Sequence, residues 1–113
     1  MFPEDLKYTE EHQWISVEKG VATIGITSQV FEEIGEVIFV DLPEVGDVFE
    51  QMGEYAGIEA KNGVLDLRLP VGGEIIKVNQ ELLDDPDLVN TSPYEDGWLV
   101  KVTIVDEREV DDL

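Results

Sequence analysis

The sequence predicts a mainly β fold, a sandwich or barrel of short strands with a few short helices beside it. Three observations carry the expectation. Glycines and prolines recur at short intervals (Gly20, Gly25, Gly35, Pro43, Gly46, Gly53, Gly57, Gly63, Pro70, Gly72, Gly73), a spacing that suits consecutive strands better than strand–helix–strand units. The runs between them are β-rich and apolar or alternating. Hydrophobic residues make up 42%, enough for a packed core even at 30% charged residues. A length of 113 residues predicts one domain over residues 1–113.

The elements follow in chain order. Trp14–Val17 and Val21–Thr27 flank Glu18-Lys19-Gly20 and read as a hairpin. Ser28–Ile34 reads as one short helix. Ser28 is a suitable N-cap, Val30, Phe31 and Ile34 share a face, and Gly35 is placed to stop it. Val37–Asp41 is a strand and Leu42–Gly46 a turn, and Tyr55–Glu59 and Val64–Leu69 are two more strands. Pro70–Gly73 turns the chain into a strand over Glu74–Asn79. From Gln80 to Asp96 the chain reads as polar loop, with one helical turn at Glu81–Leu83. Trp98–Val105 is a final strand, and 106–113 is an acidic tail or short helix. A faint symmetry relates 45–50 to 71–76, since each places a glycine turn before a strand entry.

Composition excludes several functions. With no cysteine there is no disulfide framework, thiolate metal site or cysteine nucleophile. A net charge of −20 opposes binding to nucleic acid or an anionic membrane and favours basic partner proteins. No stretch approaches the ~20 apolar residues of a membrane span. The acidic start Met1-Phe2-Pro3-Glu4-Asp5 lacks the basic and apolar regions of a signal peptide, so a cytoplasmic protein is expected. His12 is the single histidine and reads as structural. Trp14 and Trp98 read as core or near-core aromatics. Asp84-Asp85-Pro86-Asp87 lacks the spacing of a calcium loop and reads as a solvated acidic loop. No nucleophile–base constellation is present, which disfavours an enzyme.

The most informative segment runs from Gly57 to Leu67. Asn62-Gly63 between two β runs predicts a type I′ hairpin turn with those two residues at its tip and Lys61 entering it. A lysine on a rigid, accessible turn is where a protein would carry a swinging acyl arm. An exposed turn lysine with no further role is the plainer reading.

Five ordered blocks then carry a resemblance: Tyr8-Thr9-Glu10-Glu11-His12-Gln13-Trp14, Val21–Thr27, Val40–Gly46, Pro70-Val71-Gly72-Gly73-Glu74 and Ser92–Trp98. From Lys7 to about Val105 the chain resembles the H protein of the glycine cleavage system. The resemblance implies a hybrid barrel-sandwich of the biotinyl/lipoyl type and covalent lipoate on a hairpin lysine. It implies a non-catalytic, monomeric carrier serving glycine decarboxylase, aminomethyltransferase and dihydrolipoyl dehydrogenase, and a substrate of a lipoate-attaching enzyme. The family's anchors are Glu59 three before its lysine, Asp66 four after, Gly73 eleven after and Gly46 sixteen before. All place the modified position on Asn62, which has no amine. Lys61, one residue earlier, is the candidate attachment site, supported by Glu59, Asn62, Gly63, Asp66, Gly46 and Gly73. Gln13 stands where many H proteins have a glutamate that helps hold the loaded arm. Two alternatives remain open: an H-like paralogue without the arm, acting as scaffold or regulator, and a lipoyl carrier in sulfur metabolism.

Overall fold

A computed structural model describes residues 7–8, 12–27, 29–85, 87–91 and 97–105. The expected N-cap Ser28 and the tail 106–113 lie outside the described residues. Among the described residues, nine strands form two antiparallel sheets. They are β1 (Lys7–Tyr8), β2 (Gln13–Glu18), β3 (Val21–Ile26), β4 (Val37–Asp41), β5 (Val48–Phe49), β6 (Glu54–Ala60), β7 (Gly63–Arg68), β8 (Gly73–Val78) and β9 (Val100–Ile104). The larger sheet runs β1-β2-β3-β9-β8-β5 and the smaller β4-β6-β7. Three short helices complete the described chain: α1 (Gln29–Ile34), α2 (Glu81–Asp84) and α3 (Asp87–Thr91).

The core lies between the sheets. Ile15, Ile24, Val100, Val102 and Ile75 bury their side chains from the larger sheet against Val40, Ile58 and Leu67 from the smaller. Alternation along the strands produces this arrangement, because every second side chain faces inward. Trp14 is buried, and its indole lies where a side chain on Gly25 would stand, at 2.5 Å. The β2–β3 hairpin forms as expected. Glu18 pairs with Val21, and Lys19 and Gly20 both take positive φ in the two-residue turn.

The two segments related by faint symmetry are neighbours. Val48 pairs with Glu74 and Phe49 with Gly73, and the Gly46 N–H donates to the Ile75 carbonyl. Gly46 takes φ +99°, which excludes most other residues. Gly73 meets a spatial demand instead, since a Cβ there would lie 1.7 Å from the Thr103 carbonyl oxygen.

One helix has no clear sequence signature. The stretch expected as loop folds into α2 and a second helix, α3, which buries Val89. Its Asn90 acts as a substitute strand neighbour: Oδ1 accepts from the Val37 N–H at 2.9 Å, and Nδ2 donates to the Val37 carbonyl at 3.1 Å. A backbone position on β4 is thereby satisfied. No helix among the described residues is long and apolar enough to cross a membrane.

Candidate functional site

The hairpin β6–β7 is built by five successive facing pairs, from Ala56 with Leu67 to Ala60 with Gly63. The register corrects the expected turn. Ala60 faces Gly63, so the two central residues are Lys61 and Asn62, not Asn62 and Gly63. Neither they nor Gly63 has positive φ, so the turn is not type I′. Tertiary contacts decide this. The Lys61 N–H donates to the Glu36 carbonyl at 3.1 Å, and the Asn62 N–H donates to the Ile34 carbonyl at 2.8 Å. The tip is therefore docked on the end of α1 and the entry to β4, and it satisfies a helix-end carbonyl that α1 leaves open. Gly35 ends the helix with φ +85°. Gly63 is small for packing, because a Cβ there would lie 3.2 Å from Ile34 Cγ2.

Lys61 projects from this docked turn with its side chain 64% exposed. Its Nζ lies 3.4 Å from Glu36 Oε2, and the Glu36 side chain is 65% exposed. A pair this solvated contributes about 0–1 kcal/mol and does not lock the amine away from a partner. The amine is neither turned inward nor clamped. Asn62 is also exposed, and its Nδ2 stands 3.0 Å from where a Cβ on Gly35 would be.

Below the tip, the outer face of the smaller sheet forms a groove of about 340 Å³. Phe39, Glu59 and Val64 make one row across the strands, and Asp41, Gly57 and Asp66 the next. Gly57 supplies no side chain, so the groove has an open floor. Phe39 and Val64 are exposed apolar walls, while Asp41, Glu59 and Asp66 are exposed carboxylates. Such a groove suits an alkyl cation, with apolar contact for the stem and negative charge for the head. Glu59 and Asp66 thus sit within about 7 to 10 Å of the turn. Gly46 and Gly73 lie off the hairpin and brace β5 against β8.

Gln13 has a different place from the one the resemblance implies. Its side chain is 1% exposed, donates from Nε2 to the Arg68 carbonyl at 2.7 Å and accepts from the Tyr55 hydroxyl at 2.6 Å. Arg68 ends β7, about 17 Å of strand from the turn. An amide can both donate and accept, whereas a carboxylate can only accept. Gln13→Glu is therefore expected to set a negative oxygen against the Arg68 carbonyl and cost about 1–3 kcal/mol, read as a lowered Tm. His12 is partly exposed: its Nε2 is 3.1 Å from Glu33 Oε1, and its carbonyl accepts from the Thr27 N–H. Trp98 is half-buried beneath two lysines. The described residues hold no group of three His, Cys, Asp or Glu suited to a metal.

Sequence reasoning missed Glu36, Phe39 and Gly57. For Gly57 a signal existed, because a glycine inside a strand marks a close approach or an open surface.

Two antiparallel sheets with a docked hairpin that presents one primary amine define a barrel-sandwich carrier scaffold. The chain belongs to the Glycine cleavage H-protein family, whose sequence profile matches residues 6–113. It is 47% identical over 111 residues to the glycine cleavage system H protein of Halothermothrix orenii, covering 98% of this chain and 87% of that one. The H protein of Staphylococcus carnosus is 45% identical over 111 residues, covering 98% and 88%. The crystal structure of the H protein from Mycobacterium marinum superposes with a TM-score of 0.87 at 36% identity, covering 92% of this chain and 87% of that one. Proteins of this family are lipoate-bearing carriers of glycine cleavage, not enzymes.

Proposed function

We propose that this protein is a lipoyl carrier of glycine cleavage whose arm is borne by Lys61. The observation that carries the reading is the exposed Lys61 amine on a turn fixed by two backbone hydrogen bonds to Ile34 and Glu36. The residues fit the group: a primary amine at the tip can form the amide, and the exposed Glu36 pair gives way at little cost. When bound, the group supplies a dithiolane whose sulfur–sulfur bond opens and closes as cargo is taken up and released. The protein's own part is positional. The docked turn holds the attachment point, and the groove beside it, with Asp41, Glu59 and Asp66, offers negative charge to a cationic cargo or to a basic partner face. A net charge of −20 steers such partners toward the molecule. The partners are glycine decarboxylase, aminomethyltransferase, dihydrolipoyl dehydrogenase and the lipoate-attaching enzyme, in the cytoplasm.

A second reading is favoured by one observation. The family position is Asn62, which cannot be acylated, and an arm-less member would act by docking alone.

The test mixes the chain, pretreated with a lipoate-attaching enzyme, with the three partner enzymes and follows glycine turnover. Turnover that requires the chain is expected. A chain that takes up lipoate but supports no turnover would remove the glycine role, and a chain that takes up none would leave the arm-less reading.

A further inference from the structure

A second surface, away from the hairpin, has its own chemistry. Lys77 on β8 and Lys101 on β9 are register partners, so two ammonium groups stand on directly facing residues of neighbouring strands. Like charges so placed repel each other. The chain has 27 acidic residues against 7 basic ones, yet neither lysine has a carboxylate partner among the described residues. Both lie over the Trp98 indole instead, at 5.9 and 5.6 Å from the ring centroid. The ring's negative face offsets part of the repulsion.

The backbone around this pair is also open. The register shift between Ile75 and Lys77 leaves the consecutive residues Ile76 and Lys77 both exposed. β5 pairs only with Gly73 and Glu74, and the residues leading into it bond to Ile75. Beyond Ile75 that edge of β8 has no strand neighbour among the described residues. A groove of about 460 Å³ lies here, walled by Val45, Ile76, Lys77 and Trp98, and Glu81 is the one acid among the residues lining it. Val45 is 59% exposed.

The geometry points to a docking site for an extended acidic segment of a partner protein. Such a segment lies along the open edge of β8 as an added strand. One of its carboxylates sits between the Lys77 and Lys101 ammonium groups and relieves their repulsion. An apolar side chain two residues along, on the same face of the added strand, rests on Trp98, Ile76 and Val45. The rest of this anionic surface repels an acidic strand, so the patch also fixes where it binds. None of the groove's residues belongs to the hairpin tip or to the groove beside it, so the tip stays accessible while the site is filled.

The probe is an N-acetylated, C-amidated pentapeptide, Val-Thr-Glu-Thr-Val, which sets valine and glutamate on one face of an added strand, with a glutamine-for-glutamate counterpart. Each is titrated into the isotope-labelled full chain, and the indole N–H resonances of Trp14 and Trp98 are followed separately. The acidic peptide is expected to shift the Trp98 resonance and to leave Trp14 in place. A Lys77→Gln/Lys101→Gln double variant, which loses the like-charge pair and is expected to keep its Tm, should bind it about tenfold more weakly. The proposal is overturned if the glutamine peptide shifts Trp98 equally, if the double variant binds like the parent, or if millimolar acidic peptide leaves Trp98 unmoved.

Discussion

Gly73→Ala is expected to leave the protein without a cooperative fold at ordinary temperature. A Cβ at this position would lie 1.7 Å from the Thr103 carbonyl oxygen, 2.7 Å from Val102 Cγ1 and 2.9 Å from the Thr103 carbonyl carbon. Two of the three obstacles are backbone, so no rotamer change removes them. β8 and β9 would have to separate, and Ile75 and Val102, both fully buried, would lose their packing. Ordinary overpacking costs about 1–3 kcal/mol. Displacing a paired strand should exceed that and consume much of the roughly 5–15 kcal/mol that holds a domain together. Gly57→Ala is the control. Its Cβ would meet only Asp66 Oδ1 at 3.9 Å, an ordinary contact. Thermal unfolding should show no transition for the first variant and a near-parental one for the second. Parental unfolding of Gly73→Ala would contradict the packing described here.

Lys61→Arg is expected to keep the fold and abolish carrier activity completely. The cation is retained, the turn's two backbone bonds are untouched, and the pair with Glu36 is exposed. The Tm should therefore stay close to the parent's. A guanidinium, however, is not an acyl acceptor of the required kind. Adding Asn62→Lys to that variant should restore activity, because residues 61 and 62 are the two central positions of one turn. In a strand a one-residue slip would send the side chain to the opposite face. At the tip of a two-residue turn that constraint is weaker. Glycine turnover in the reconstituted system, measured beside thermal unfolding, checks both variants.

Much of the fold was legible because strand alternation and glycine spacing are local signals. β2, β3, β4, β6, β7 and β8 lie within a residue or two of where their apolar runs predict them. What escaped was short or settled by distant contacts. β1 has two residues and exists only through Ile15 and Trp14 on β2. α3 has five, fewer than a helical period needs to declare itself, although Pro86-Asp87 is a recognisable helix start. At the site, Asn62-Gly63 carries the strongest local turn preference in the hairpin. Ile34 and Glu36, far earlier in the chain, override it by accepting hydrogen bonds from the tip. The same cause hid Glu36. Gln13 was visible as a departure from the family pattern, but its burial between Tyr55 and Arg68 depends on residues 42 and 55 positions away.

The attachment site itself can be read from one experiment. The chain is incubated with a lipoate-attaching enzyme, digested, and its peptides sequenced by mass spectrometry. One lipoyl mass on the peptide holding Lys61, with the fragment ions placing it on that residue, is the predicted result. An unmodified peptide, under conditions that fully modify the H protein of Staphylococcus carnosus, would mean that this hairpin bears no arm.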